Sequence, residues 1–315
     1  MGKIAIVGSG FIGRAWAITF ARAGNLVVLW DEDKGAPARA IAFIRDALPE
    51  LAANGLLNGR TPDDVLANIT IEDDFAATLA GATHVQENTP ETIAMKQAIF
   101  ARLDQLAEAD AVIASSSSAI LPSSFTEGLT GRHRCLVVHP INPPYLIPAA
   151  EVVPAPWTSP EVVERTRALL VAIGQAPIVM KRELDGFIMN RLQGALLEEA
   201  FRLVADGYAT AEDVDIGIRE GLALRWSFMG PFETIDLNAP AGIRDYVARY
   251  QGLYENLWGQ MQRRVDWGGD VLNEIERERR AKLPKTDLVK RQLWRDRRLM
   301  ALAAHKRRAA KDIGE

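Results

Sequence analysis

Along the first half of the chain, apolar residues fall into short β-branched runs separated by stretches of helical spacing. Lys3–Val7 (KIAIV) is the first run. A helical pattern follows through Trp16, Ile18 and Phe20 to Gly24, a residue suited to a left-handed helix end. Leu26–Trp30 (LVVLW) is the second run. The spacing then predicts a helix over 36–57, with Pro37 in its first turn and Pro49 breaking it. Short strands are expected at 69–71, 84–86 and 111–114, with a helix over 92–106 between the last two. Another strand is expected at 134–139, and Glu151 opens a short apolar run with Val152 and Val153. Ser159-Pro160 has the form of a cap and first-turn proline for a helix ending at Gly174, and 176–180 reads as a last strand. Strands alternating with helices in this way build a doubly wound, mostly parallel sheet.

Beyond Asp185-Gly186 the pattern changes. Ile188, Leu192, Ala195, Leu196, Leu203 and Val204 recur at helical spacing, and no clear strand follows. The expected organisation is α/β: an N-terminal Rossmann-type doubly wound domain over residues 1–184, followed by an all-α domain over 185–315. The helix over 186–204 is apolar on more of its surface than one neighbour covers, which suits a homodimer interface. The stretch 285–311 carries ten Lys or Arg against two Asp. Leu288, Leu293, Trp294, Leu299, Met300 and Leu302 interleave with those charges, so an amphipathic helix with a solvated basic face is expected there rather than a nucleic-acid site.

Composition narrows the classes of partner. A length of 315 residues, with 48% hydrophobic and 25% charged residues, belongs to a globular chain of two ordinary domains. A net charge of −4 provides no general attraction to nucleic acid or to an anionic membrane. One cysteine, Cys135, makes no internal disulfide, no apolar run is long enough to span a bilayer, and the N-terminus lacks a signal-peptide pattern. A cytoplasmic protein is expected.

Chemistry enters at Gly8-Ser9-Gly10-Phe11-Ile12-Gly13, placed between the first strand and the first helix. Gly8 permits the tight turn, Gly10 lets a pyrophosphate approach the backbone, and Gly13 lets helix and strand pack closely. The amides of Phe11 and Ile12 then face the phosphates at the helix N-terminus. Asp31 closes the second strand, where an acid accepts hydrogen bonds from the adenosine ribose. With Glu32 and Asp33 it would repel a 2′-phosphate, so NAD is expected over NADP, and no metal is expected.

A second constellation is His139 to Pro154, HPINPPYLIPAAEVVP. Four prolines after His139 prevent a helix, and two strands joined by this stiff connection bring His139 and Glu151 together. The pair would hold one ring nitrogen as a donor and leave the other to exchange a proton. Ser115 to Ser118 and His139 both stand at the carboxyl ends of expected strands, which is where ligands bind in such sheets.

With VGSGFIGRAW, HPINPPYLIPAAEVVP, GFIMNRLQ, GLALRWSFMGPFETIDLN and RQLWRD, the chain resembles the L-3-hydroxyacyl-CoA dehydrogenase family over essentially its full length. The resemblance implies that Ser118, His139, Glu151 and Asn190 are catalytic. It also implies that Glu91 and Lys96 contact the nicotinamide-ribose side of NAD and that Asp31 is the ribose acid. The family's serine usually lies in an Asn-Thr-Ser or Ser-Thr-Ser setting. Here four serines run together, which leaves Ser117 and Ser118 both open.

Oxidation of a secondary alcohol suits these residue types. A neutral His139 takes the hydroxyl proton and Glu151 stabilises the imidazolium, while Ser118 and Asn190 hold the oxygen. For the substrate, Arg39, Arg45 and Arg60 are scattered rather than clustered for a coenzyme A phosphate. Arg225, in LALRWSFMGPFE, suits a free carboxylate, and Asn142 joins it on the substrate side. The expected activity is oxidation of a small 3-hydroxy acid, L-gulonate by resemblance. A 3-hydroxyacyl-CoA dehydrogenase, an L-carnitine dehydrogenase and an NAD-binding structural protein remain alternatives.

Overall fold

The computed structural model describes residues 2–314 and divides into two compact units. The first runs to Ile188 and takes in Asp296–His305; the second is Met189–Arg295 with the residues from Lys306 onward.

The first unit is one eight-stranded sheet. Its strands are β1 Lys3–Val7, β2 Leu26–Trp30, β3 Ile69–Ile71, β4 Ala82–Glu87, β5 Val112–Ser115, β6 Cys135–Pro140, β7 Ala149–Pro154 and β8 Ala176–Val179, in the order β3-β2-β1-β4-β5-β6-β7-β8. From β3 to β6 every pairing is parallel; β7 runs antiparallel to β6, and β8 is parallel to β7. The chain order reverses beside β1, so the carboxyl ends of β1 and β4 open the crevice where a doubly wound sheet takes its ligand.

Both faces of the sheet are covered. On one, Ile4, Ile6, Val27 and Leu29 pack against Trp16 and Phe20 of α1 (Phe11–Arg22) and Ile44 and Leu48 of α2 (Ala36–Ala53). On the other, Ala5, Val7, Val85 and Ile113 pack against Phe100, Leu103 and Phe125. After Lys3 the β1 run is therefore continuously apolar rather than alternating, as a strand buried on two faces requires.

One sequence expectation fails for a stated reason. Pro49 does not break its helix, which runs from Ala36 to Ala53. Pro49 lies on the exposed face, so the Arg45 carbonyl it leaves without a partner is open to water, while Ile44, Leu48 and Leu51 stay buried. Among the residues after 184, Asp296–His305 belong to the first unit. Leu299, Met300 and Ala303, within the helix Leu288–Ile313, pack on the α1-side core of the first unit, where Met300 is buried, and Arg297 bonds Glu50 at 2.6 Å.

In the second unit the described residues form helices and no strand. Its buried core is small, with Val204, Ala211 and Val271 at the centre and Phe201 stacked on Trp267 at 4.7 Å. No helix among the described residues is long and apolar enough to cross a membrane.

Candidate active site

The turn after β1 is shaped by its glycines. Gly8 has φ +89°, and a Cβ there would lie 2.8 Å from the Asn88 carbonyl carbon; at Gly13 a Cβ would meet the Gly8 oxygen at 1.9 Å. Those two positions are closed by the protein itself. Around Gly10, by contrast, a Cβ would meet nothing within 4 Å, which leaves room beside the backbone for a pyrophosphate. No side chain caps α1 and no acid lies in its first turn, so the Phe11 and Ile12 amides remain to bind phosphate.

Asp31 follows β2 directly. Its Oδ2 accepts from the Ser9 amide at 2.7 Å and the Ser9 hydroxyl at 3.1 Å, and Oδ1 accepts from the Asp33 amide at 3.0 Å. Three of roughly four acceptor positions are thus used to hold the glycine turn, and one is left for a ribose hydroxyl. Ser9, which sequence reasoning passed over as the variable residue of the motif, ties the acid to the turn. Together these residues fit the adenosine and pyrophosphate half of NAD.

The four serines after β5 separate by their partners. Ser115 is buried and donates to Glu87 Oε2 at 2.6 Å. Ser116 accepts from Trp16 Nε1 at 3.0 Å and Gln86 Nε2 at 2.8 Å, and donates to Asn88 Oδ1 at 2.8 Å. Ser117 is buried and donates to Glu91 Oε1 at 2.5 Å. Only Ser118 of the four is exposed. Of the two serines the sequence left open, Ser117 is therefore committed to the protein and Ser118 faces outward.

Glu91 and Lys96 lie beside this run without meeting each other's partners. Glu91 Oε1 also accepts from the amides of Ser118 at 3.0 Å and Ala119 at 3.2 Å, so it holds the serine loop. Lys96 is buried. Its ammonium donates to Glu87 Oε1 at 2.9 Å, Glu87 Oε2 at 2.8 Å and the Thr89 carbonyl at 3.0 Å, which uses all three donors. Sequence reasoning missed Glu87, the acid that closes β4. It gathers Lys96, Ser115 and the Thr89 amide, and so ties the loops after β4 and β5 together. The available signal was a carboxylate at the carboxyl end of a short strand, where such sheets bind ligands.

His139 and Glu151 are opposed across the antiparallel β6–β7 pair, so residues twelve apart become cross-strand neighbours. His139 Nδ1 meets Glu151 Oε2 at 2.6 Å, and Glu151 Oε1 accepts from the Ile188 amide at 2.7 Å. Glu151 is fully buried and His139 is 7% exposed, with its ring 5.6 Å from that of Phe187. No described residue bonds His139 Nε2. With Nδ1 held as the donor to the carboxylate, Nε2 is the nitrogen able to take a proton. Asn142 is exposed in the connection between the two strands.

The remaining candidates belong to the second unit. Asn190 opens the helix Met189–Ala205. Arg225, exposed, lies in the short helix Ala223–Trp226 after a π-helical turn, Gly217–Leu222. Its charge acts on Tyr246, whose hydroxyl meets that of Tyr254 at 2.9 Å. That hydrogen bond raises the Tyr246 phenol above its ordinary value, and Arg225 opposes the rise. Elsewhere, burial pushes the Cys135 thiol up to about 12, so it is no nucleophile.

The family model described as 3-hydroxyacyl-CoA dehydrogenase, NAD binding domain, matches residues 3–183, and the model of the C-terminal domain matches 186–278. A lambda-crystallin homolog of Bos taurus is 39% identical over 96% of this chain and 95% of its own length. An L-carnitine dehydrogenase of Pseudomonas putida is 39% identical over 78% of this chain and 76% of its own. The crystal structure of 5-formyl-3-hydroxy-2-methylpyridine 4-carboxylic acid 5-dehydrogenase, an NAD-dependent dismutase, superposes with a TM-score of 0.82 at 28% identity. It covers 98% of each chain.

Proposed function

The chain belongs to the 3-hydroxyacyl-CoA dehydrogenase family, and we propose that within it the protein oxidises a small free 3-hydroxy acid, L-gulonate foremost, to the 3-keto acid. It is an NAD-dependent oxidoreductase of the kind acting on CH–OH groups. The observation that carries the chemical reading is the 2.6 Å contact between His139 Nδ1 and Glu151 Oε2, which leaves Nε2 for the substrate hydroxyl.

NAD, when bound, accepts the hydride from the carbinol carbon. The hydroxyl proton passes to His139 Nε2, and Glu151 balances the imidazolium across Nδ1. Ser118 donates to the substrate oxygen from the loop that Glu91 holds. Asp31 favours NAD over NADP, because its carboxylate leaves no room for a 2′-phosphate dianion. Replacing Asp31 with Ala should narrow the NAD/NADP preference, and an unchanged ratio would remove it from the cofactor site.

Two observations support a free acid. Arg225 is an exposed guanidinium whose charge is felt at the Tyr246 phenol, and it is suited to a carboxylate by paired hydrogen bonds. Among the relatives, the carnitine and pyridine-carboxylate enzymes are named for substrates that carry one. L-carnitine is the second reading, favoured by that relative's identity. Its trimethylammonium suits an aromatic cluster such as Tyr246, Tyr250 and Tyr254, but the Arg225 charge felt at Tyr246 opposes a cation there. Activity with L-gulonate, L-carnitine, 3-hydroxybutyrate and 3-hydroxybutyryl-CoA decides among them. In Arg225→Met the loss in kcat/KM should be large for 3-hydroxybutyrate and small for its thioester; equal losses would sink the carboxylate assignment.

The second unit also supports a homodimer. The helix Ile243–Met261 buries no residue, leaving Tyr250, Leu253, Leu257 and Trp258 open, and Leu192 and Leu196 are open on Met189–Ala205. A single-chain mass by light scattering at micromolar concentration would reject it.

A further inference from the structure

Gly186, Phe187 and Ile188 close the first unit and have no part in the chemistry above, yet their backbone is unusual. Gly186 and Phe187 are consecutive left-handed residues, with φ +75° and +49°. Apart from Asn58, Phe187 is the one described non-glycine residue with positive φ, and asparagine tolerates that region far better than phenylalanine. Such a conformation persists only where its surroundings over-determine it. Here three contacts do so. The Phe187 amide donates to the Leu184 carbonyl at 2.9 Å, the fully buried ring packs with Val153 and Met180 and lies 5.6 Å from His139, and the next amide reaches Glu151 Oε1 at 2.7 Å.

One carboxylate is thus shared between an imidazole and the backbone that ends the first unit. The geometry points to Phe187 and Ile188 as positioning residues of the His139–Glu151 pair. The left-handed Phe187 aims the Ile188 amide at Oε1, which fixes the rotation of the carboxylate and draws part of its charge away from His139. This inference rests on the reading of His139 as proton acceptor. β6, β7 and β8 contribute no titratable group besides His139, Glu151 and the protonated thiol of Cys135, and the segment leading into the turn adds Lys181, Arg182, Glu183 and Asp185.

Removing the amide from Oε1 concentrates charge on the oxygen facing His139, so the ring holds its proton more firmly and oxidation needs a higher pH. Valine, β-branched, resists φ near +50°, so Phe187→Val should swing the following peptide away from Glu151. Glycine accepts that φ, so Phe187→Gly should keep the amide in place and lose only the ring. The readout is the pH dependence of single-turnover NAD reduction, with the acid of the substrate panel that reacts fastest.

In Phe187→Val the midpoint of the rise should move up by about one pH unit or less. Phe187→Gly should keep the wild-type midpoint at a lower rate, and KM for NAD should be unchanged in both. Glu151→Gln should move the midpoint the opposite way, down. If Glu151→Gln shifts it and Phe187→Val, folded by circular dichroism, does not, this inference alone fails. If Glu151→Gln leaves it in place, the proton-acceptor reading fails first. Should the valine variant not fold, the wild-type amide can be observed directly. In protein labelled with 15N-isoleucine, the Ile188 signal, identified by its loss in Ile188→Leu, should lie downfield and move upfield in Glu151→Gln. A signal indifferent to that change would overturn the proposal.

Discussion

Two buried histidines sit in the same sheet, His84 on β4 and His139 on β6, and their neighbours give them opposite chemistry. His139 faces a carboxylate, Glu151 Oε2 at 2.6 Å. His84 faces an amide, Gln86 Oε1 at 3.0 Å, and the Gln86 nitrogen donates to Ser116 Oγ at 2.8 Å and the Val138 carbonyl at 3.4 Å. Gln86 thereby offers His84 an acceptor, so His84 Nε2 carries the proton and Nδ1 is the bare nitrogen, with no partner among the described residues. Burial lowers the His84 imidazole to about 4, and the Gln86 hydrogen bond only partly opposes it. An identical side chain therefore has a carboxylate partner in one place and is a neutral packing group beside an amide in the other.

The strongest way to break this contrast is to remove the imidazole that has the acid. His139→Asn should cut turnover by roughly 100-fold to 10,000-fold, the range for a lost general base, while NAD affinity stays near wild type. Stopped-flow NAD reduction beside fluorescence titration of NADH checks it, and wild-type turnover would end the assignment.

His84 sharpens the contrast through stability. Above pH 6.5 it is neutral folded and unfolded, so it contributes no pH dependence. As pH falls from 6.5 to about 4 the unfolded chain takes up the proton and the folded chain does not, so stability is lost across that window and levels off below it. The full effect is about 3 kcal/mol, from about 1.4 kcal/mol per unit. Urea melts of wild type and His84→Gln should show the difference between the two proteins changing by that amount between pH 6.5 and 4. A constant difference would show that His84 charges freely in the fold.

The serine run divides between the two histidines. Ser118→Ala should lower kcat by roughly 10-fold to 100-fold with little change in melting temperature, as loss of one hydrogen bond to a charged or developing centre costs about 1.5–3 kcal/mol. Ser116 belongs to the His84 network. Ser116→Ala leaves Gln86 Nε2 and Trp16 Nε1 short of a partner and should cost about 1–3 kcal/mol of stability in denaturant melts. If Ser116→Ala hurt turnover more than Ser118→Ala, the division would be reversed.

Much was legible along the chain because local rules govern it. Apolar runs of β-branched residues marked most of the strands; Ser159 marked a helix start, where its side chain caps as expected; and Gly24 and Gly174 marked ends at positive φ. The glycine turn and Asp31 were readable because backbone clearance and charge are properties of those residues alone. Pro49 misled because a proline's cost depends on which face of the helix it occupies, and that face is set by what the helix packs against.

What the sequence by itself determined was the alternation that builds the sheet, the cofactor turn, and the residue types that can move a proton. Only the tertiary structure decided which of them do what. The antiparallel register of β6 and β7 puts Glu151 opposite His139, and the β4–β5 neighbours place Gln86 and Ser116 in one network. The loop after β4 gives Glu91 to Ser117 and so leaves Ser118 as the exposed serine; the Ile188 amide, a backbone donor with no signature in residue type, completes Glu151. The physical reason is that a titratable group takes its behaviour from desolvation and from donors and acceptors within about 3 Å, and those neighbours come from distant parts of the chain.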